Sequence, residues 1–90
     1  SQDKKKEKKI KETVKFIYII KIADFYYEKT AKLMQKRIKD ELNIKNSKIK
    51  QISNTNFRVY MGPFENLKSL KNAFDDINPL NFENIEIIKL

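Results

Sequence analysis

The sequence predicts an α+β fold in which the elements follow the order β-α-β-β-α-β. Two segments with helical periodicity alternate with four segments rich in β-branched and aromatic residues. The pattern also repeats after a shift of 39 residues, which relates Ile20 to Val59 and Phe25 to Phe64. Right-handed crossovers would then place both helices on one face of a four-stranded antiparallel sheet and leave the other face open. This is the split βαβ arrangement, also called ferredoxin-like or RNP-like.

The first segments of the chain predict a tail followed by a strand. Residues 1–13 carry six Lys and three acidic residues, and they contain too few apolar side chains to order themselves. We therefore expect a disordered Lys-rich linker at residues 1–13 and one folded domain at residues 14–90. Residues 14–23 (VKFIYIIKIA) are mostly β-branched or aromatic, which predicts a central strand.

Two amphipathic helices are predicted on either side of a hairpin. Residues 24–42 form the first, with Asp24 as its N-terminal cap or as an acidic residue of its first turn. Its predicted apolar stripe comprises Tyr27, Ala31, Leu33, Met34, Ile38 and Leu42. Residues 65–78 form the second, and Asn78 and Pro79 would end it. Its predicted stripe comprises Leu67, Leu70, Ala73, Phe74 and Ile77.

The remaining strands are predicted at residues 48–53, 57–61 and 85–90. A turn at residues 54–56 would join the first two into a hairpin. Residues 57–61 alternate, so that Val59 and Met61 would face the helices while Arg58 and Tyr60 would face outward. Gly62 and Pro63 would end this strand, because proline cannot donate to the ladder and glycine permits a sharp turn. Phe25 and Phe64 are expected to anchor equivalent strand-to-helix turns in the core.

The composition argues against catalysis. The chain has no Cys and no His, which removes thiol and imidazole nucleophiles, the commonest general base and ordinary zinc sites. Asp75 and Asp76 are adjacent in a helix and point in different directions, and no phosphate-binding or calcium-binding loop occurs. We therefore expect a domain that is not an enzyme and that holds neither a metal nor a cofactor.

The net charge of +8 is unevenly distributed. Residues 14–62 carry eleven basic and four acidic side chains, whereas residues 63–90 carry three and five. Such a basic first half indicates an anionic partner, which from charge alone is a nucleic acid, an acidic lipid or an acidic polysaccharide. The alternative is a compositional bias, because Lys, Ile and Asn are all abundant, as in proteins from AT-rich genomes.

Two segments carry a resemblance to a known family. Residues 57–64 (FRVYMGPF) resemble the aromatic-Arg-Val-x-Val-Gly-Pro-Phe signature of the sporulation-related repeat (SPOR) domain. Residues 18–25 (YIIKIADF) are similar to the strand of that family that ends in Gln-x-Gly-Ser-Phe, and Ala31 matches the small residue in the following helix. The departures from the family pattern are Lys21 for Gln, Ala23 for Gly, Asp24 for Ser and Leu70 for Ala.

The resemblance implies a non-catalytic, peptidoglycan-binding domain of the bacterial cell envelope. Domains of this family recognise glycan strands without stem peptides, which are enriched at division septa. They usually form the C-terminal module of division proteins, amidases, lytic transglycosylases or lipoproteins. The resemblance thus implies a periplasmic domain tethered by an upstream anchor. We expect a monomeric domain whose partner is the glycan strand, without nucleic acid.

The open face of the predicted sheet is the candidate site. The candidate glycan-binding residues on this face are Ile17, Ile19, Lys21, Arg58 and Tyr60. Tyr60 would stack on a sugar ring, Arg58 would pair with a lactyl carboxylate or hold hydroxyl groups, and Lys21 would add a point charge. The alternative for Arg58 is an ion pair across the sheet with Glu86. Two further candidates, expected as loop contacts beside this face, are Asp24 and Tyr26.

Two other functions stay open at the level of sequence. RNA-recognition modules share this order of elements and stack bases on aromatic residues of the central strands. The third strand here lacks their Lys/Arg-Gly-aromatic start, and Tyr60 is its only outward aromatic on the predicted register. A protein-interaction domain is the second alternative, because Ile17 and Ile19 would give the open face an apolar patch.

Overall fold

The computed structural model describes residues 15–90 of the chain. The predicted linker at residues 1–13, and Val14 at the predicted start of the first strand, lie outside the described residues. The strands are β1 (Tyr18–Phe25), β2 (Lys48–Ser53), β3 (Asn56–Phe64) and β4 (Glu86–Lys89). The helices are α1 (Glu28–Leu42) and α2 (Leu67–Ile77), and a 3₁₀ turn (Asn78–Leu80) follows α2.

The four strands form one open antiparallel sheet in the order β2-β3-β1-β4. The two helices cover one face of this sheet, and β2 and β4 form its edges. The predicted split β-α-β-β-α-β fold, with a four-stranded antiparallel sheet and both helices on one face, is therefore confirmed.

A single apolar cluster lies between the sheet and the helices. It comprises Ile20, Ile22, Ala31, Ile38, Ile44, Val59, Met61, Leu70, Ala73 and Ile77. Phe25 and Phe64 pack against it from partly buried positions, as predicted for the two anchors. Ile38 and Ile77, which are related by the 39-residue repeat, are both fully buried. Full burial of such a side chain contributes about 1.5–3 kcal/mol to folding.

Helix α1 begins later and buries a narrower stripe than predicted. Asp24 still belongs to β1, and Tyr27 occupies the N-cap position without a side-chain cap hydrogen bond. Tyr27, which was predicted to belong to the buried stripe, and Leu33, which was predicted to lie beside it, are 65% and 59% exposed. Tyr27 precedes the first turn, and Leu33 lies about 200° around the helix from the buried Ala31, so it faces away from the sheet.

Helix α2 begins at Leu67 because Asn66 caps it. The Asn66 side chain accepts a hydrogen bond from the Ser69 backbone N–H at 2.8 Å, which satisfies one of the unpaired donors of the first turn. Leu67, predicted to belong to the buried stripe, is 67% exposed at the first helical position. The helix ends at Ile77 and the chain continues into the 3₁₀ turn that contains Pro79, in agreement with the predicted stop.

The central strands β1 and β3 pair through two irregularities. One extra residue on β3 lies between the pairs Tyr18–Phe64 and Ile20–Met61. One extra residue on β1, Ile22, lies between Lys21 and Ala23. Such bulges change which face the following side chains reach. Beyond Ile22, Asp24 lies opposite Arg58 on the open face instead of pointing towards the helices.

Gly62 lies within β3 rather than after it. The strand continues through Pro63 to Phe64, so the prediction that Gly62 and Pro63 end the strand was wrong. Gly62 has a φ angle of 115°, and a Cβ atom there would lie 3.1 Å from both the Tyr18 carbonyl oxygen and Phe64 Cδ2. Only glycine adopts this conformation readily, so the extra residue of β3 is accommodated at this position.

Candidate ligand-binding face

The sheet face opposite the helices contains a depression of about 150 Å³. Its lining residues are Ile19, Lys50, Ile52, Arg58, Tyr60, Pro63, Ile88 and Leu90. Ile19 is only 6% exposed although it lies outside the core cluster, and it pairs with the half-buried Ile88 of β4. These two isoleucines give the depression an apolar floor, with charged residues and one aromatic residue around it.

Two rows of side chains cross this face, because directly opposed residues of an antiparallel pair point to the same side. In the first row, half-buried Tyr60 lies between Lys21 on β1 and Lys48 on β2. In the second row, Arg58 lies between Asp24 and Lys50. The predicted outward orientation of Arg58 and Tyr60 is thus confirmed. Tyr60 has a lysine on either side, whereas Arg58 has one lysine and one aspartate.

Arg58 is already paired with a carboxylate of its own chain. Its Nε and Nη2 atoms donate to Asp24 Oδ1 and Oδ2 at 2.9 and 3.0 Å. The hydrogen bond from Arg58 is the main reason why the pKa of Asp24 lies below its ordinary value, and partial burial opposes it. The same contact raises the pKa of Arg58. Because a guanidinium has five N–H donors, Arg58 retains donors beyond the two that bind Asp24.

This pair corrects two predictions. Asp24 was expected as a helix cap and a loop contact, but it is a strand residue whose carboxylate binds Arg58. The alternative partner predicted for Arg58, Glu86, pairs instead with Lys21, whose Nζ lies 3.1 Å from Glu86 Oε1. The Lys21 side chain is only 16% exposed. Its point charge is therefore largely neutralised before any ligand arrives.

The lysines of β2 supply charge that the sequence interpretation did not assign to the site. Lys50 lines the depression and forms no ion pair with any residue between positions 15 and 90. Lys48 Nζ donates to the Gly62 carbonyl oxygen at 2.8 Å. The turn at residues 54–56 does not fix their partners by itself, because an irregularity between Gln51 and Ser53 sets the register in which Lys50 lies opposite Arg58.

Two of the predicted site residues lie away from the depression. Ile17 precedes β1 and lines a separate hollow with Lys15, Phe16 and Glu65, while its carbonyl accepts a hydrogen bond from the Leu90 N–H at 2.9 Å. Tyr26 is exposed in the bend between β1 and α1, where its ring packs against that of Tyr27 with 4.7 Å between centroids. The structure thus brings together Ile19, Arg58 and Tyr60, and Lys21 lies beside Tyr60.

The described residues contain no helix that is long and apolar enough to cross a membrane. Across the same range, no three His, Cys, Asp or Glu side chains are grouped so that they would hold a metal ion.

No family model matches the chain, and no match was found among curated proteins or solved structures. The likeness to the SPOR family therefore rests on residues 18–25 and 57–64, together with Ala31.

Proposed function

We propose that this chain is a non-catalytic domain that binds peptidoglycan glycan strands lacking stem peptides, through the open face of its sheet. The observation that carries the proposal is the depression in which Tyr60 adjoins an apolar floor and two cationic side chains, Lys50 and Arg58. The SPOR-like segments at residues 18–25 and 57–64 support it, because both contribute strands to this face. On this proposal the domain acts in the bacterial cell envelope, as a module of a division-associated or wall-remodelling protein.

The chemistry of a glycan strand suits these side chains. Sugar rings have apolar faces that pack on aromatic and aliphatic groups, so a ring would lie on Tyr60 and above Ile19. Removal of the stem peptide leaves a free lactyl carboxylate. Lys50 is the cation best placed to receive that carboxylate, because it has no ion-pair partner among the described residues. Arg58 would contribute its remaining donors to hydroxyl groups.

RNA is the less favoured ligand for this face. Domains of this architecture that bind RNA stack two or three bases on several aromatic side chains. Tyr60 is the only aromatic residue that the described part of the chain contributes to the depression. A single ring beside aliphatic residues is better matched to one sugar than to a run of stacked bases.

Co-sedimentation tests the proposal. The protein is mixed in parallel with intact sacculi, with amidase-treated sacculi and with immobilised single-stranded RNA. We expect the highest retention on amidase-treated sacculi. We expect Tyr60→Ala to weaken that binding about three- to tenfold, since one stacking contact is worth about 0.5–1.5 kcal/mol. Tyr60→Phe retains the ring and should retain most of the binding, whereas Lys50→Ala should weaken it mainly at low salt.

Matched controls remove the same groups elsewhere. Tyr27→Ala deletes an exposed aromatic ring outside the depression, and Lys68→Ala deletes an exposed lysine on α2. Both controls should bind amidase-treated sacculi like the unmodified protein. Retention on RNA alone, or an equal loss of binding in Tyr27→Ala and Tyr60→Ala, would show that the proposed ligand or the proposed face is wrong.

A further inference from the structure

A second concave surface lies between α1 and the segment that leads into β2. This basic groove has a volume of about 320 Å³ and is lined by Lys32, Gln35, Lys36, Lys39, Ile44, Lys45 and Ser47. Four of these seven residues are lysines, and none of them is acidic or aromatic. The groove shares no lining residue with the depression on the sheet face. Its chemistry therefore requires a separate explanation.

The wall of the basic groove that faces α1 is held in place. Gln35 Nε2 donates to the Ser47 backbone carbonyl oxygen at 2.9 Å, which ties the segment after α1 to the helix surface. Ile44 in the same segment is buried in the core cluster. The cations therefore surround a preformed concavity, and a ligand would not have to order this segment when it binds.

Among the described residues, two of the four lysines have ion-pair partners and two do not. Lys32 pairs with Glu28 at 3.3 Å and Lys36 with Asp40 at 2.6 Å, both one helical turn away and on the exposed surface. Such pairs contribute only about 0.3–0.5 kcal/mol and exchange partners at little cost. Lys39 and Lys45 form no ion pair with any residue in the described range. They are the cations most available to an anion.

The positive charge continues beyond the basic groove along one flank of the domain. Residues 29–45 carry six basic and two acidic side chains, whereas residues 63–90 carry three and five. The first range forms most of α1 and the segment that leads into β2, and the second forms α2 and the β4 edge. Because β2 and β4 lie at opposite edges of the sheet, the cations are concentrated on one side. Several cations along one helix fit a linear polyanion better than a single anionic group.

We propose that this basic flank binds a linear polyol-phosphate polymer, with Lys39 and Lys45 holding successive phosphate groups in the basic groove. Lysine is a common ligand of phosphate, to which it contributes a point charge. The groove has no aromatic lining on which the bases of a single strand would stack, which favours a phosphate polymer without bases. This site is independent of the glycan-binding face proposed above.

Binding of a fluorescent poly(glycerol phosphate) of defined length tests the inference. We expect Lys39→Ala/Lys45→Ala to lower the affinity about tenfold in 50 mM salt, with a smaller effect in 200 mM salt because each released counterion then contributes less free energy. Lys68→Ala/Lys71→Ala is the matched control, since it removes two exposed lysines from α2 and changes the net charge equally. This control should change the affinity less than twofold. Lys39→Arg/Lys45→Arg should retain binding.

The comparison ligands are single-stranded RNA and duplex DNA at equal phosphate concentration. Tighter binding of either nucleic acid would overturn the assignment of a polyol-phosphate polymer. Equal losses of affinity in the two double-alanine variants would show that the net charge, and not the basic groove, attracts the polymer. The absence of any binding in 50 mM salt would also overturn the inference. Far-ultraviolet circular dichroism of each variant verifies that the fold is intact. Tyr60→Ala should bind the polymer normally, so failure of this inference is distinguishable from failure of the glycan proposal.

Discussion

Asp24 and Arg58 lie directly opposite each other on β1 and β3, and two hydrogen bonds of 2.9 and 3.0 Å join the carboxylate to the guanidinium. An internal carboxylate therefore occupies the position in which a ligand carboxylate was expected. Both side chains are partly exposed, so the pair borders the depression rather than lying beneath it. This geometry has consequences for stability and for binding.

The stability of the domain should depend on pH through Asp24. The folded-state pKa of Asp24 is lowered, chiefly by the hydrogen bond from Arg58. The pair therefore stabilises the fold above the unfolded-state pKa of about 3.9, and this contribution is lost as the pH falls through the folded-state pKa. We expect Asp24→Asn to be less stable by about 0.5–1 kcal/mol at pH 7, with the difference vanishing near pH 2. Urea unfolding at several pH values measures this difference.

The control for this pH dependence is Asp75→Asn. Asp75 is exposed on α2 and forms no ion pair among residues 15–90. Its substitution should change the stability little at any pH. A penalty for Asp24→Asn that is the same at pH 7 and at pH 2 would contradict the assigned role of the ion pair.

The same substitution should strengthen binding if the proposed function is right. Asp24→Asn makes the guanidinium group of Arg58 available to a ligand carboxylate, and it makes the open face more positive by one charge. We expect the affinity for amidase-treated sacculi to rise about two- to fivefold at low salt, and the gain to shrink as salt is added. Sedimentation at two salt concentrations measures it. Asp75→Asn makes the same charge change elsewhere, and an equal gain in that variant would exclude a specific effect at Arg58.

Gly62 should tolerate no side chain. Gly62→Ala would strain a backbone with a φ angle of 115° and bring a Cβ atom to 3.1 Å from the Tyr18 carbonyl oxygen. We expect a loss of about 1–3 kcal/mol in the free energy of unfolding, as is typical of residues forced into sparsely populated backbone regions. Urea denaturation measures the loss. An unchanged transition midpoint would mean that β3 rearranges at this position without cost.

The observed helix stripe predicts a contrast between two residues of α1. Ile38 is fully buried, so Ile38→Val should lower the stability by about 0.5–1.5 kcal/mol. Leu33 is mostly exposed, so the larger truncation Leu33→Ala should change it by no more than about 0.5 kcal/mol. Both variants are compared by urea denaturation at pH 7. The reverse order would mean that the wider stripe predicted from the sequence is correct.

The face assignment of β3 could be predicted because its alternation is regular up to Met61. Val59 and Met61 are apolar, whereas Arg58 and Tyr60 are amphipathic. An unbroken two-residue period therefore assigns the first pair to the helix-covered face and the second pair to the open face. The same reasoning fails for β1 beyond Lys21. The residue types around Ile22 do not differ from those of a regular strand, and the bulge is defined only by pairing with β3. The position of Asp24 therefore depends on tertiary structure.

The contribution of β2 was missed for a different reason. This strand exposes most of its residues at the edge of the sheet, so it has little apolar pattern to identify its faces. Lysine on an edge strand usually discourages association with other sheets and indicates no function by itself. Only the pairing with β3 shows that Lys50 lines the depression together with Arg58. The ion-pair partners of Arg58 and Lys21 could not be predicted either, because the carboxylates of both Asp24 and Glu86 lay within plausible reach.

The separation of charge between the two edges of the sheet has a consequence for how the domain meets a partner. Cations around α1 and β2 and acidic residues around α2 and β4 give the domain an electric dipole across the sheet. Near a polyanionic layer, the electric field of the layer would exert a torque on this dipole and turn the domain before any atoms touch. The β2 edge would then arrive first and the β4 edge last. Diffusional encounters would therefore be oriented, and their rate should fall steeply as ionic strength rises.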